Sequence, residues 1–104
     1  MKYLVIPASL ALALASAASL AADAQQLLKD KACLTCHQLD NKVVGPSYKD
    51  VAAKYKSRKD AEAYLVSKIK GGSTGVWGQI PMPPNGTVND DEAKALAKFI
   101  LTVK

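Results

Sequence analysis

Both cysteines and the one histidine of this 104-residue chain fall within five consecutive positions, Cys33-Leu34-Thr35-Cys36-His37. On a helical turn, residues three and four apart share a face. Two thiols and an imidazole can therefore act on one object. Thiols so placed can add to the two vinyl groups of a porphyrin while the imidazole meets its iron, and C-x-x-C-H is the attachment signature of a c-type haem. A disulfide, a redox dithiol or half of a zinc site would also use these residue types. Zinc needs further Cys or His ligands, which the chain does not have. A redox dithiol of the thioredoxin kind belongs beside a βαβ pattern, which is missing here.

An iron held by one imidazole has a second axial position. A second imidazole is excluded within one chain, since His37 is the only histidine. Of the two methionines, Met1 leaves with the segment described below, so a second strong ligand would be Met82 or a lysine. Met82 sits in Ile80-Pro81-Met82-Pro83-Pro84. Prolines fix φ and stiffen such a loop, which suits holding a thioether at one distance. The plainer use of a methionine is to fill a gap in packing. Met/His ligation raises the reduction potential and fills both axial positions, leaving one-electron transfer through an exposed edge rather than catalysis at the iron.

The elements that must position these residues are short. Residues 1–21 read as an export signal: Lys2 is followed by the apolar run Tyr3 to Leu14, and Ser19 and Ala21 stand at the minus-three and minus-one places of a cleavage site. An uncleaved anchor is the competing reading, because Tyr3 to Ala22 nearly suffices to span a bilayer. Cleavage leaves one domain, residues 22–104, in the periplasm. So small a chain buries proportionately little surface, and a covalent cofactor would staple it. Asp23 to Ala32 reads as a helix running into the Cys33 motif. Ser47 opens a second helix, with Asp50 in a loose capping box and Val51, Ala52 and Tyr55 inward. Asp60 caps a third, with Ala61, Tyr64, Leu65, Lys68 and Ile69 at helical spacing, and Gly71-Gly72 ends it. From Gly71 to Val88 no helical period survives, and a loop of that length in so small a domain is usually functional. Asn89 and Glu92 form a capping box for the last helix, whose apolar face is Ala93, Leu96, Ala97, Ile100 and Leu101. No strand and no internal repeat is evident. The fold class expected is all-α, four short helices around one cofactor.

Taken together, the blocks resemble the small bacterial monohaem cytochromes c of the cytochrome c-551 type, also called cytochrome c8. The residues that carry the resemblance are Cys33 to His37, Val44-Gly45-Pro46, Tyr48 to Lys54, Ile69 to Gly72, Gly75-Val76-Trp77-Gly78, Ile80 to Asn85 and Asp91 to Ala97. It runs through the whole mature chain in one register and implies a class I cytochrome c domain. It implies His37 and Met82 as axial ligands of one covalently attached haem c, with Cys33 and Cys36 as thioether anchors. By the same resemblance, Pro46 offers its carbonyl to the His37 Nδ1 proton, and Trp77 donates its indole N–H to a haem propionate. Asn85 bonds the Met82 sulfur. Lys68 stands where many relatives carry an arginine near the propionates, and a lysine brings a point charge in place of a planar fork.

Formal net charge is +5 for the full chain, one less without Lys2. Moderate basicity suits docking on an acidic protein, whereas export and dispersed lysines argue against nucleic acid. The function expected is therefore a soluble, monomeric periplasmic electron carrier, without stable membrane insertion once the signal is removed. By resemblance, it runs between a quinol-oxidising complex and a terminal nitrite reductase, oxidase or cytochrome peroxidase. Lys31, Lys42 and Lys70 are the lysines expected around the haem edge. The rivals are a gas-binding or sensory haem module with a displaceable Met82, and a peroxidase-like enzyme with an open iron.

Overall fold

Local sequence sets four helices in the computed structural model, which describes residues 23–104. The expected signal, residues 1–21, lies outside the described residues. Helix α1, residues 23–30, buries Ala24 and Leu28, one turn apart. The expected run of this helix into the Cys33 motif is corrected. Ala32 takes a left-handed conformation (φ 59°), and the chain resumes as a 3-10 turn at Cys33–Thr35. The left-handed region costs an L-residue about 1–2 kcal/mol. The Lys31 ammonium beside it reaches the Thr87 carbonyl (2.9 Å) and Glu92 (3.6 Å).

Helix α2 (Tyr48–Tyr55) begins as its sequence predicts, with the Ser47 hydroxyl accepting from the Asp50 N–H at 3.1 Å. Its buried residues include Val51, Ala52 and Tyr55. Helix α3 (Ala61–Gly71) has Asp60 at its N-cap, but the expected side-chain cap is absent. Arg58 takes that carboxylate with two nitrogens, at 2.5 and 3.1 Å. Helix α4 (Asp90–Ile100) carries the full capping box. Asn89 Oδ1 accepts from the Glu92 N–H at 2.8 Å, and Glu92 Oε1 accepts from the Asn89 N–H at 3.0 Å.

Helix α4 packs on α3 and α2. Its Ala93 and Ala97 have no exposed surface, so their small side chains allow close approach. Leu96 of α4, Leu28 of α1, Val51 and Tyr55 of α2 and Leu65 and Ile69 of α3 share one core. Each large aliphatic side chain buried there contributes about 1.5–3 kcal/mol. Val88, which ends the long loop by sequence, is also core. Among the described residues there is no strand, only the isolated bridges His37–Lys42 and Ser73–Met82. No helix among them is long and apolar enough to cross a membrane. The all-α architecture is thus the one expected.

Candidate haem site

A cavity of about 440 Å³ opens between the Cys33 turn, the 43–46 loop, α2, α3 and the loop 73–85. Its size lies in the roughly 300–1,000 Å³ range of cofactor and ligand pockets. Every site residue singled out by sequence lines it: Cys33, Cys36, His37, Pro46, Lys68, Trp77, Met82 and Asn85. Residues 49 positions apart in sequence, Cys33 and Met82, thus face one space.

The Cys33 turn is closed by the His37 N–H donating to the Cys33 carbonyl at 3.0 Å. Both thiols are free. Burial pushes the Cys33 thiol above its ordinary pKa, against a smaller pull from the neighbouring Tyr48 hydroxyl. Burial likewise raises Tyr48 strongly.

His37 is held on several sides. Its Nδ1 lies 2.7 Å from the Pro46 carbonyl oxygen. A carbonyl only accepts, so Nδ1 carries the proton and Nε2 keeps its lone pair for a metal. The Tyr48 ring stacks on the imidazole, centroids 4.9 Å apart and planes 19° from parallel. Gly45 presses on the same ring so closely that a Cβ there would stand 2.6 Å from Cε1. The Gly45 N–H in turn donates to the Cys36 carbonyl at 2.7 Å, strapping this loop to the cysteine turn.

Met82 is half-buried, and its backbone pairs with Ser73. The Asn85 side-chain amide donates to the Ile69 carbonyl at 3.0 Å. A contact to the Met82 sulfur would have to use its second hydrogen. Trp77 lies edge-on to Tyr55 (6.2 Å, 78°), under the Lys54 ammonium at 4.5 Å from the indole. Lys68 sits over the Tyr64 ring at 5.2 Å. Burial and the Tyr64 hydroxyl push Tyr55 up to about 12.

Of the lysines expected near the haem edge, only Lys42 lines the cavity. Lys31 is tied to Thr87 and Glu92, and Lys70 pairs with Asp90. Sequence reasoning assigned no role to Gly45 or Tyr48. The signal for both was their position, one residue before and two after Pro46.

The donor set fits an iron porphyrin. The cavity is predominantly apolar, carries two thiols one turn apart, and offers one imidazole fixed in the tautomer that leaves Nε2 open, with one thioether. Among the described residues no group of three or more His, Cys, Asp and Glu side chains gathers to hold a bare ion. Residues 21–104 match the family model described as cytochrome c.

The chain belongs to the cytochrome c family.

It is 63% identical to cytochrome c-552 of Nitrosomonas europaea over 78 residues, covering 75% of this chain and 76% of that one. With cytochrome c-551 of Pseudomonas aeruginosa it shares 57% over 84 residues, covering 81% and 80%. The crystal structure of wild-type Nitrosomonas europaea cytochrome c552 superposes with a TM-score of 0.75 at 61% identity, over 77% of this chain and 99% of that one. These similarities place the chain in the small monohaem c-551 group, carrying one covalently attached haem c in electron transport.

Proposed function

We propose that the protein is a soluble periplasmic one-electron carrier whose haem c is anchored at Cys33 and Cys36 and ligated by His37 and Met82. The observation that carries this reading is that the fixed imidazole and the one methionine of the mature chain line the same cavity. When bound, a haem supplies reversible one-electron chemistry between ferric and ferrous iron.

The chain's own residues do the rest. Pro46 holds the Nδ1 proton and so fixes which imidazole nitrogen is the donor. Tyr48 and Gly45 fix the plane of that ring. A site that moves little between oxidation states lowers the cost of reorganisation, which is what a carrier needs. Met82 would supply the second protein ligand to the iron and so keep small ligands out. Lys68 and Trp77 supply a cation and an N–H donor for the propionates, and Asn85 steadies the methionine loop from Ile69.

Electrons would leave through the cavity mouth. Val43, Val44, Trp77 and Ile80 line the cavity and remain exposed, with Ile80 at 68%. An apolar ring with Lys42 beside it suits brief docking on a redox partner whose own apolar patch is bordered by acids. Such a partner would be a quinol-oxidising complex on one side and a terminal reductase, oxidase or peroxidase on the other.

Carbon monoxide tests it. The reduced protein at neutral pH should keep its spectrum under carbon monoxide while a Met82→Ala variant takes the gas up. Rapid, full binding by the unmodified protein would move the assignment to a gas-binding or sensory module.

A further inference from the structure

Gly71 and Gly72 look alike in sequence, as a double stop for α3. In the structure they differ sharply. Gly71 is the last helical residue, and a Cβ placed on it would have no heavy atom within 4 Å. Gly72 has φ 76° and ψ −175°, a region that essentially only glycine occupies. A Cβ there would lie 2.4 Å from the Met82 carbonyl oxygen, 3.0 Å from Pro84 N and 3.1 Å from the Pro83 carbonyl carbon. Glycine at this position therefore meets two independent demands: a backbone shape closed to other residues, and direct contact with the backbone of the Met82 segment.

The contact matters because that segment has few other means of attachment. Pro83 and Pro84 have no N–H, so between Met82 and Asn85 the chain offers no backbone donor. What holds it lies on either side. The Ser73 N–H donates to the Met82 carbonyl at 3.0 Å, and the Met82 N–H donates to the Ser73 carbonyl at 2.9 Å. Three residues on, Asn85 hangs from the Ile69 carbonyl by its backbone N–H (3.1 Å) and its side-chain amide (3.0 Å). The end of α3 thus grips the Met82 segment at Ile69, Gly72 and Ser73. Gly72 packs where the proline pair offers no donor. The reciprocal Ser73–Met82 pair also closes the loop that carries Trp77 upon itself.

We propose that Gly72, together with the Ser73 pair beside it, is the positioning residue for Met82, setting how firmly the thioether is held toward the iron. An alanine at 72 must displace the Met82 carbonyl by roughly 1 Å to reach ordinary contact, besides straining its own backbone. The displacement acts on the ligand residue itself. The consequence is a weaker thioether bond, not merely a less stable domain. This inference rests on reading Met82 as the second axial ligand.

The test compares oxidised holoprotein variants by titration with imidazole, which competes with Met82 for the iron. Met82→Ala examines the underlying reading on its own: imidazole affinity must rise, and an unchanged affinity removes Met82 from the ligand set whatever Gly72 does. Given that rise, Gly72→Ala should raise imidazole affinity about tenfold or more, because weakening one ligand strengthens its competitor by the same factor. It should also lower the reduction potential and weaken the far-red thioether band. Gly71→Ala should stay within about twofold of the unmodified protein. Equal imidazole affinity and equal potential in Gly72→Ala and Gly71→Ala would overturn the proposal.

Should Gly72→Ala fail to accumulate, hydrogen exchange on the unmodified protein decides. The Ser73 and Met82 amides should exchange together, about a hundredfold more slowly than those of Gly75 and Gly78 in the same loop. Exchange at the rate of the loop tip would show that no such grip exists.

Discussion

Replacing Gly45 by alanine should loosen His37 by an amount that the packing allows one to bound. The added methyl carbon would stand 2.6 Å from Cε1, 2.9 Å from Nδ1 and 3.1 Å from Nε2, against an optimal carbon–carbon separation of about 3.5–4.0 Å. Something must move by roughly 1 Å. The loop cannot retreat freely, because the Gly45 N–H is bonded to the Cys36 carbonyl at 2.7 Å. The imidazole cannot turn freely either, between the Pro46 carbonyl and the Tyr48 ring. Overpacking of this kind costs about 1–3 kcal/mol, and loss of the Nδ1–H bond adds about 0.5–1.5 kcal/mol. At about 4–8 °C per kcal/mol for a domain of this size, the midpoint of thermal unfolding should fall by roughly 6 °C or more. With His37 as the proposed iron ligand, weakening the Nδ1–H bond would also make the imidazole a poorer donor to ferric iron, so the reduction potential should rise. Thermal melts and redox titrations of Gly45→Ala would be read against Gly86→Ala, where an added Cβ meets nothing within 4 Å. Indistinguishable melting temperatures and potentials for the two variants would refute the reasoning.

Other outcomes follow from single contacts. Ser47→Ala removes the cap of α2 and should cost about 1 kcal/mol in chemical denaturation. Leu96→Ala opens space in the shared core and should cost about 2–5 kcal/mol by the same assay. Hydrogen bonds from Arg58 and Lys70 hold the Asp60 and Asp90 carboxyls below their ordinary 3.8. Their stabilisation is complete above that value and lost as pH falls through the depressed ones, so Asp90→Asn should lower stability slightly near neutrality, leave it unchanged at the acid end and so flatten the acid limb of the stability–pH curve. Lys42→Glu should slow electron exchange with an acidic-faced partner, an effect that added salt erases.

Much of this molecule was legible because its signals are local. The Ser47 cap and the Asn89–Glu92 box each depend on residues three apart, and both helices start where those residues say. Periodicity placed Leu65, Ile69, Leu96 and Ile100 in the core. The site was legible for a different reason: C-x-x-C-H and one proline-flanked methionine leave few alternatives, and every residue they drew in lines the cavity.

Most of what sequence missed depends on contacts across the chain. Lys31-Ala32 has good helix propensity, yet propensity is worth only tenths of a kcal/mol per residue. The helix ends there all the same, with Ala32 at φ 59° and the Lys31 ammonium reaching Thr87 and Glu92. Long-range ties of the same kind pair Lys31 with Glu92 and Lys70 with Asp90, and neither lysine lines the cavity. Asp60 reads as a cap until Arg58, only two residues away, claims its carboxylate. Gly71 and Gly72 cannot be told apart without knowing that Met82 lies against one of them.

On the proposed function, Met82 closes the iron that the Cys33–His37 turn holds. The most direct measurement is the electronic spectrum of the purified oxidised holoprotein beside that of Met82→Ala. A weak far-red band from iron–thioether bonding should appear in the unmodified protein and be lost in the variant. A spectrum without that band in either protein would contradict this reading of Met82.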